Sequence, residues 1–598
     1  MYGSISPKEL RTVGRAVGWV LAGVILVCGL GIAWIGVRGA LAYQHLANVQ
    51  AGAQAAATSV ASDPSGAGAA LARLASDAVE ARELTSDPVW TLAEGTPWVG
   101  PQLAAFGTVA ASSDQLLRES LLPLATAAKD VSVESFKPVG GRIETERLTG
   151  LVQPAQEAAT KAREAASAID DIDRTPLLGA TNTAVDKAGD LFGQVADAVD
   201  GLSRASQLLP EMLGRDGPRN YLLLVQNNAE WRSLGGITGT AILMRADQGS
   251  VSMVETQSAT SLSIGITGPV VDLPDDVKAI YDTRPARYFH NLTQIPDFTV
   301  DGPLAREMYR LRTGVEVDGV LAVDPVALSY LLKAIGPLTL PTGDTLTADN
   351  AVPFLLNEVY LRYSDPAAQD AVFASASGAV FQGLLDGRGS ASDLISALAR
   401  ASDEHRILLW SADPAEQKVI DGAPVAGQLP STGSRTARFG VFLNDGTGSK
   451  MSYYVRPEVS LTWDACGSGD VKAQRQISMT ISLTNTAPTD AATSLPWYIT
   501  GGGIYGVPPG VARVVGNVYL PEGFELVSAG TTTGSDFTQG SFEGRQVMTF
   551  GADLAPGVTS SASVTVRATS TASEAEAFVT PSADPAISPI VTATCGID

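Results

Sequence analysis

Between Asn220 and Thr240 the chain reads NYLLLVQNNAEWRSLGGITGT, a dense run of side chains that must hydrogen-bond. Gln226, Asn227 and Asn228 supply amides, Glu230 a carboxylate and Arg232 a guanidinium. Amides donate and accept, a carboxylate only accepts, and a guanidinium presents a planar fork of donors. The preceding Tyr221 to Val225 is an apolar run of the length expected for one buried strand. Gly235 and Gly236 follow, and Ile237 to Met244 reads as a second strand. The pattern is therefore a buried strand that delivers polar groups to its carboxyl end, where α/β sheets bind ligands. The alternative is an ordinary strand–turn–strand with a solvated polar loop.

The rest of the chain must hold that stretch in place. It has 598 residues, a hydrophobic fraction of 45% and a formal charge of −22. The length suggests several domains. With no stripe of Lys and Arg to neutralise phosphates, nucleic acid is excluded as a partner. Three histidines (His45, His290 and His405) are too few for a His-rich metal site.

Ala16 to Val37 is uncharged, lies between Arg15 and Arg38, and as a helix would span about 33 Å, enough for a bilayer core of roughly 30 Å. Lys8, Arg11 and Arg15 precede it. The positive-inside rule then puts the N-terminus in the cytoplasm and the bulk outside. Trp19 and Trp34 sit near its ends, as interfacial residues do. The competing reading is a cleaved signal peptide, with Ala40-Leu41-Ala42 as the cleavage site, although the apolar run is longer than a typical signal core.

The expected organisation is a cytoplasmic tail (1–15), a single-pass transmembrane helix (16–37), a helical stalk or bundle (38–213), an α/β domain (214–440) and an antiparallel β-sandwich (441–598). Leu151 to Ile172 and Thr181 to Leu209 carry apolar residues at three- and four-residue spacing, the pattern of amphipathic helices. Trp90, Trp98 and Phe106 are expected to pack within the bundle. In the α/β segment, strands are expected at Tyr221 to Val225, Ala241 to Arg245, Val251 to Glu255, Asp318 to Val323 and Ile407 to Trp410. A helix is expected from Leu304 to Arg312, and another from Asp324-Pro325 to a stop at Gly336-Pro337. Beyond Val441, runs rich in Val, Thr and Ser alternate with Gly and Pro turns, as in a sandwich. Cys466 and Cys595 bracket it. Outside the membrane a disulfide between them is chemically permitted, and closing so long a loop would contribute about 4–5 kcal/mol in the chain-entropy picture. Two free buried cysteines are the alternative.

The block from Asn220 to Thr240 resembles the signature of domain-of-unknown-function family 4012, found in bacterial membrane-anchored proteins. Pro296-Asp297-Phe298, Val317 to Pro325 (VDGVLAVDP), Leu331 to Pro337 (LLKAIGP), Asn444-Asp445, Gly448 to Met451 and Tyr453-Tyr454 extend that resemblance over roughly Pro88 to Val455. The order of elements is also similar to that of the LytR-CpsA-Psr family. Those membrane-anchored, extracytoplasmic proteins transfer glycopolymers from a polyprenyl-pyrophosphate carrier to the cell wall. Glu230 and Arg232 stand where that family has an acid and an arginine after its first strand. Arg287 to Asn291 resembles its mid-domain Asn segment, and Arg362, Asp365 and Gln369 its late polar helix. The chain departs from the family at Gly235 to Thr238 and at Glu255-Thr256-Gln257, where acidic and arginine blocks are absent.

What the resemblance implies is a membrane-anchored envelope protein that binds a polyprenyl-(pyro)phosphate-linked glycan or wall polymer, with glycopolymer phosphotransfer as a further step. The alternative is a non-catalytic envelope scaffold or adhesion protein. Arg232, Arg284, Arg287 and Arg362 are the candidate phosphate forks, since guanidinium matches phosphate bidentately. Asn228, Asn291 and Gln369 join them as ligand-site candidates. Glu230 or Asp365 could hold a Mg²⁺ bridging the phosphates. Asn444, Asp445 and Lys450 form a second polar cluster, which reads as a turn between domains because Asn-Asp-Gly favours turns.

Overall fold

The computed structural model describes residues 7–62, 64–129, 137–433, 435–465, 475–532, 536–568 and 572–595. The chain divides into two compact units, residues 1–133 with 145–210, and residues 134–144 with 211–598.

The first unit is helical. Its first helix runs from Pro7 to Ser62, well past the expected stop at Val37. Among the described residues it is the one helix with the length and composition to cross a membrane, and its apolar stretch is exposed. A membrane anchor and a signal sequence share those features. Just beyond that stretch, Arg38 Nε lies 2.7 Å from Asp87 and the guanidinium stacks over Trp34 at 5.4 Å. The expected amphipathic helices are Val152–Asp170 and Gly179–Met212. Val152–Asp170 buries Ala155, Ala158, Ala159, Ala162, Ala165 and Ala166 along one face, so small side chains let neighbouring helices approach closely. Trp90 is buried and its ring centroid lies 6.2 Å from that of Phe106. Trp98 does not join them. It is 88% exposed at a backbone φ of 66°, because the turn that carries it points its ring into water.

Among the described residues, the second unit holds three larger sheets. The first has the order β3-β2-β1-β4-β7, with β1 (Arg219–Arg232), β2 (Gly235–Asp247), β3 (Ser250–Ser258), β4 (Gly319–Val323) and β7 (Ile407–Ser411). A short hairpin, β5 (Leu338–Thr339) and β6 (Thr345–Leu346), lies between the last two in sequence. β1 and β4 pair in parallel and the other neighbours are antiparallel. Strands β1 to β3 are joined by tight turns and must run antiparallel, whereas β1 and β4 are separated by helical segments long enough for a crossover. The helix before β4 spans Phe298–Thr313 and starts earlier than Leu304, because Asp297 caps it by accepting from Thr299 N. The next helix, Pro325–Ile335, is capped by Asp324 and stops at Gly336 as expected.

Ten strands follow: β8 (Thr436–Asp445), β9 (Val455–Ala465), β10 (Gln476–Asn485), β11 (Ala512–Tyr519), β12 (Phe524–Thr531), β13 (Thr538–Phe542), β14 (Arg545–Leu554), β15 (Thr559–Ala568), β16 (Glu574–Val579) and β17 (Ile590–Thr594). They form a four-stranded sheet, β12-β15-β10-β9, and a six-stranded sheet, β13-β14-β11-β8-β16-β17. All pairs are antiparallel except β8 with β16. The alternation of β8 explains its near-continuous burial. Ala437, Phe439, Val441 and Leu443 pack with Ile477, Met479, Ile481 and Leu483 of β10. Phe442 belongs to the other core, with Leu222, Leu224, Phe298, Met308, Tyr519 and Phe578. The six-stranded sheet is thus covered on both faces, by the four-stranded sheet and by the α/β layer. Cys595 is disulfide-bonded and Cys28 is free; Cys466, the expected partner, lies outside the described residues.

Candidate functional site

β1 does not end at Val225. It continues through the polar cluster to Arg232, and Gln226, Asn227, Asn228, Glu230 and Arg232 are all buried. The alternative of a solvated polar loop does not hold: the run stays inside, where each of these side chains makes at least one hydrogen bond, although Asn228 Oδ1 is buried without a partner. The β1–β2 ladder is regular up to Val225, shifts register to Gln226↔Thr238 and Asn227↔Ile237, and re-forms at Trp231↔Gly236 and Arg232↔Gly235. Between Asn227 and Trp231 it breaks, so Asn228, Ala229 and Glu230 leave the pairing. Bulges re-aim side chains, and this one sends Asn228 and Glu230 to two separate buried networks.

Glu230 is the hub of the first network. One carboxylate oxygen accepts from Arg232 Nη2 at 3.1 Å and the other from Lys450 Nζ at 2.5 Å. Arg232 also donates through Nε to Asn291 Oδ1 at 3.1 Å and through Nη1 to the Trp231 carbonyl at 2.7 Å. Lys450 faces the rings of Tyr498 and Tyr360 at 5.5 and 5.9 Å, and those rings stack at 5.7 Å. Burial alone would raise the Glu230 pKa, but the two adjacent cations hold it below the ordinary value. Burial alone would lower that of Lys450; Glu230 and the two tyrosines hold it above. Asp445, the last residue of β8, is pushed up to about 7 by burial and by the Glu230 charge, against the pull of Arg232. His290 is held below its usual value by burial, with Arg232 and Lys450 acting in the same sense.

Two loops frame this cluster. In the first, Thr293 is fully buried at a φ of 76°, a left-handed conformation that β-branched residues rarely adopt. Its hydroxyl donates to the Gly236 carbonyl at 2.9 Å and its carbonyl accepts from Leu234 N at 3.0 Å. The second, between β8 and β9, carries Lys450, and at its root the side chain of Asn444, at the end of β8, accepts from Ser233 N at 3.1 Å. The loop read as a turn between domains is therefore part of the site.

Asn228 serves the second network. It donates to Asp324 Oδ2 and to the Pro581 carbonyl, both at 3.0 Å. Asp324 pairs at 2.8 Å with the buried Arg406, which also holds Glu404 at 2.6 Å and the Ser582 carbonyl at 3.0 Å. This network ties the ends of β1, β4 and β7 to the loop after β16.

Of the ligand-site candidates, the fold brings Glu230, Arg232 and Asn291 together. Arg284 is exposed, 3.8 Å from Asp282, and Arg287 stacks on Tyr288 at 5.1 Å. Arg362 pairs with Asp344 at 2.8 Å and Glu358 at 2.7 Å. It follows Tyr360 by two residues in the helical segment Val359–Arg362, so the two side chains point in nearly opposite directions, and only Tyr360 faces Lys450. Asp365 caps the helix Pro366–Leu385 by accepting from Ala367 N, and Gln369 donates to the Tyr363 carbonyl. As for Mg²⁺, both Glu230 oxygens already face cations and Asp365 is a helix cap. Among the described residues no group of three or more His, Cys, Asp or Glu could hold a metal ion. Tyr360, Tyr498, Thr293 and Arg406 carry no local sequence signal that would have singled them out.

No curated protein and no solved structure matches the chain, so the resemblance to LytR-CpsA-Psr proteins gains no support there. A family model does match, over a shorter range than Pro88 to Val455. It starts just before β1 and ends at Tyr360, taking in Glu230, Arg232, Asn291 and Thr293 but not Lys450. Residues 216–360 match the model of the family described as protein of unknown function, DUF4012.

Proposed function

We propose that the protein is a single-pass membrane protein of the cell envelope, with its N-terminus cytoplasmic and its second unit extracytoplasmic, that binds a phosphate- or pyrophosphate-bearing lipid-linked glycan or wall polymer at Arg232 and Lys450. The observation that carries this reading is a surplus of buried cationic donors at the end of β1. Two cations face one carboxylate, since Asp445 is largely uncharged below neutral pH. Three bonds are made by Arg232, which has five N–H groups, and one by Lys450, which has three. The remaining donors suit the oxygens of a phosphate, with Asn291 beside them. Binding without transfer is the better supported form. Glu230 is held as an ion by its cations and is a weak base, and Asp365 belongs to another network.

The test is binding of a polyprenyl pyrophosphate to the full chain in detergent, with and without Mg²⁺. Arg232→Lys keeps the charge but loses the fork, and is expected to weaken binding by about tenfold or more while the fold, read by circular dichroism, is unchanged. Absence of saturable binding, or binding untouched by both Arg232→Lys and Asn291→Ala, overturns the reading.

The second reading is a non-catalytic envelope scaffold. It is favoured by the saturation of Glu230, whose contact with Lys450 ties the α/β layer to the β8–β9 loop. On that reading Arg232→Lys lowers stability and leaves no ligand affinity to lose.

A further inference from the structure

The segment between β10 and β11 carries an apolar face that the charged cluster does not use. Residues 491–512 contain no Asp, Glu, Lys or Arg, in a chain where 17% of residues are charged. Within them Trp497 is 66% exposed, Ile504 71% and Tyr505 45%. Gly502 and Gly503 between them, and Gly506 just after them, are exposed too. The exposure does not come from a loose loop. Ile499 and Val507 are buried pegs, Lys450 N donates to the Ile499 carbonyl at 2.9 Å, and Tyr505 packs so closely on Gly448 that a Cβ there would lie 2.6 Å from its hydroxyl oxygen. The segment is fixed at its base and shows three large apolar side chains to solvent, a cost that covering them would relieve.

We propose that this face docks on a lipid bilayer, with Trp497, Ile504 and Tyr505 entering the interfacial region. Trp and Tyr favour that region, and Ile504 has no polar atom with which to recognise a saccharide. The absence of charge fits a neutral, apolar occupant. With a chain charge of −22, attraction to anionic lipid is excluded as the driving force, so docking is apolar and insensitive to salt. The inference rests on the membrane-anchor part of the proposed function, which supplies the bilayer, and not on ligand binding at Arg232.

The experiment uses the full chain with Cys28→Ser and Ile504→Cys, labelled at position 504 with a fluorophore and reconstituted into phosphatidylcholine vesicles. Glu525→Cys is the control. It is exposed and lies opposite Arg567, which pairs with Gln476, at the other end of the strand whose Asn485 end leads into residues 491–512. Flotation with the vesicles reports the anchor. Quenching by lipid spin-labelled near the headgroup reports the docking. The label at 504 is expected to lose about half its emission, as insertion by roughly 5–10 Å would bring, at low and high salt alike. The label at 525 is expected to lose none, and Trp497→Ser with Tyr505→Ser is expected to restore emission at 504. A chain that floats while the label at 504 stays unquenched overturns the docking and leaves the anchor standing. A chain that does not float overturns both. A saturable change in the emission of that unquenched label on adding a soluble oligosaccharide would assign the face to a saccharide instead.

Discussion

Lys450 Nζ lies 2.5 Å from Glu230 Oε2 across 220 residues of sequence, and the contact joins the end of β1 to the loop after β8. Because both groups are buried, removing one is costlier than removing both. Glu230→Ala leaves Lys450 and Arg232 facing each other without their anion, and is expected to cost about 3–5 kcal/mol. Adding Lys450→Met removes one uncompensated charge and is expected to recover part of that. A double-mutant cycle on urea midpoints checks it. Strictly additive losses would mean that the two charges are not coupled.

The pH dependence of stability contains two opposed contributions. Asp445 is raised from 3.8 to about 7 in the folded chain, so its contribution is fully present below about pH 4 and is lost as pH rises through 7. His405 is lowered from 6.5 to about 4 by burial, so its contribution is present above pH 6.5 and is lost as pH falls through 4. Between pH 4 and 7 the two partly cancel. Asp445→Asn keeps an acceptor for Thr447 and is expected to leave a stability that rises with pH over this window. His405→Asn, chosen because Asn tolerates the left-handed backbone at φ 52°, is expected to leave one that falls. Urea midpoints of the two variants measured from pH 4 to 8 check both signs. Parallel curves would refute the assignment of either group.

The sequence carried those elements whose signals are local. Asp324-Pro325 and Gly336 bracket a helix within one stretch of chain, and the alternation of Ile477, Met479, Ile481 and Leu483 announces a strand with one buried face. The candidate site was half legible for the same reason. Glu230 and Arg232 sit two residues apart on one strand, so their meeting is a local event. Lys450 reaches them only through the pairing of β8 with β11 and the covering of that sheet on both faces, which no spacing encodes. Arg362 and Gln369 share a neighbourhood in sequence with Tyr360 but face other partners: Arg362 because direction around a helix changes by about 100° per residue, and Gln369 because it belongs to the next helix, Pro366–Leu385. The extension of β1 beyond Val225 was hidden by composition. A polar run reads as a loop unless its partners, here Asp324, Asn444 and Lys450, are already known.

The close approach at Gly236 gives the most local check on the β1–β2 hairpin. A Cβ on Gly236 would lie 2.3 Å from the Asn227 carbonyl carbon and 2.5 Å from Asn228 N, so backbone rather than a flexible side chain would have to move. That backbone is the bulge that aims Asn228 and Glu230, and the Gly236 carbonyl also takes the Thr293 hydroxyl. Gly236→Ala is therefore expected to cost about 1–3 kcal/mol from overpacking. It should also weaken the Glu230–Lys450 coupling, since Glu230 would be displaced from the loop it grips. Gly239→Ala, three residues on in the same strand, has its nearest neighbour at 3.9 Å and is expected to be neutral or stabilising by up to about 1 kcal/mol. Equal effects at the two positions would show that the cost belongs to glycine in a strand generally and not to the fit of Gly236 against the bulge.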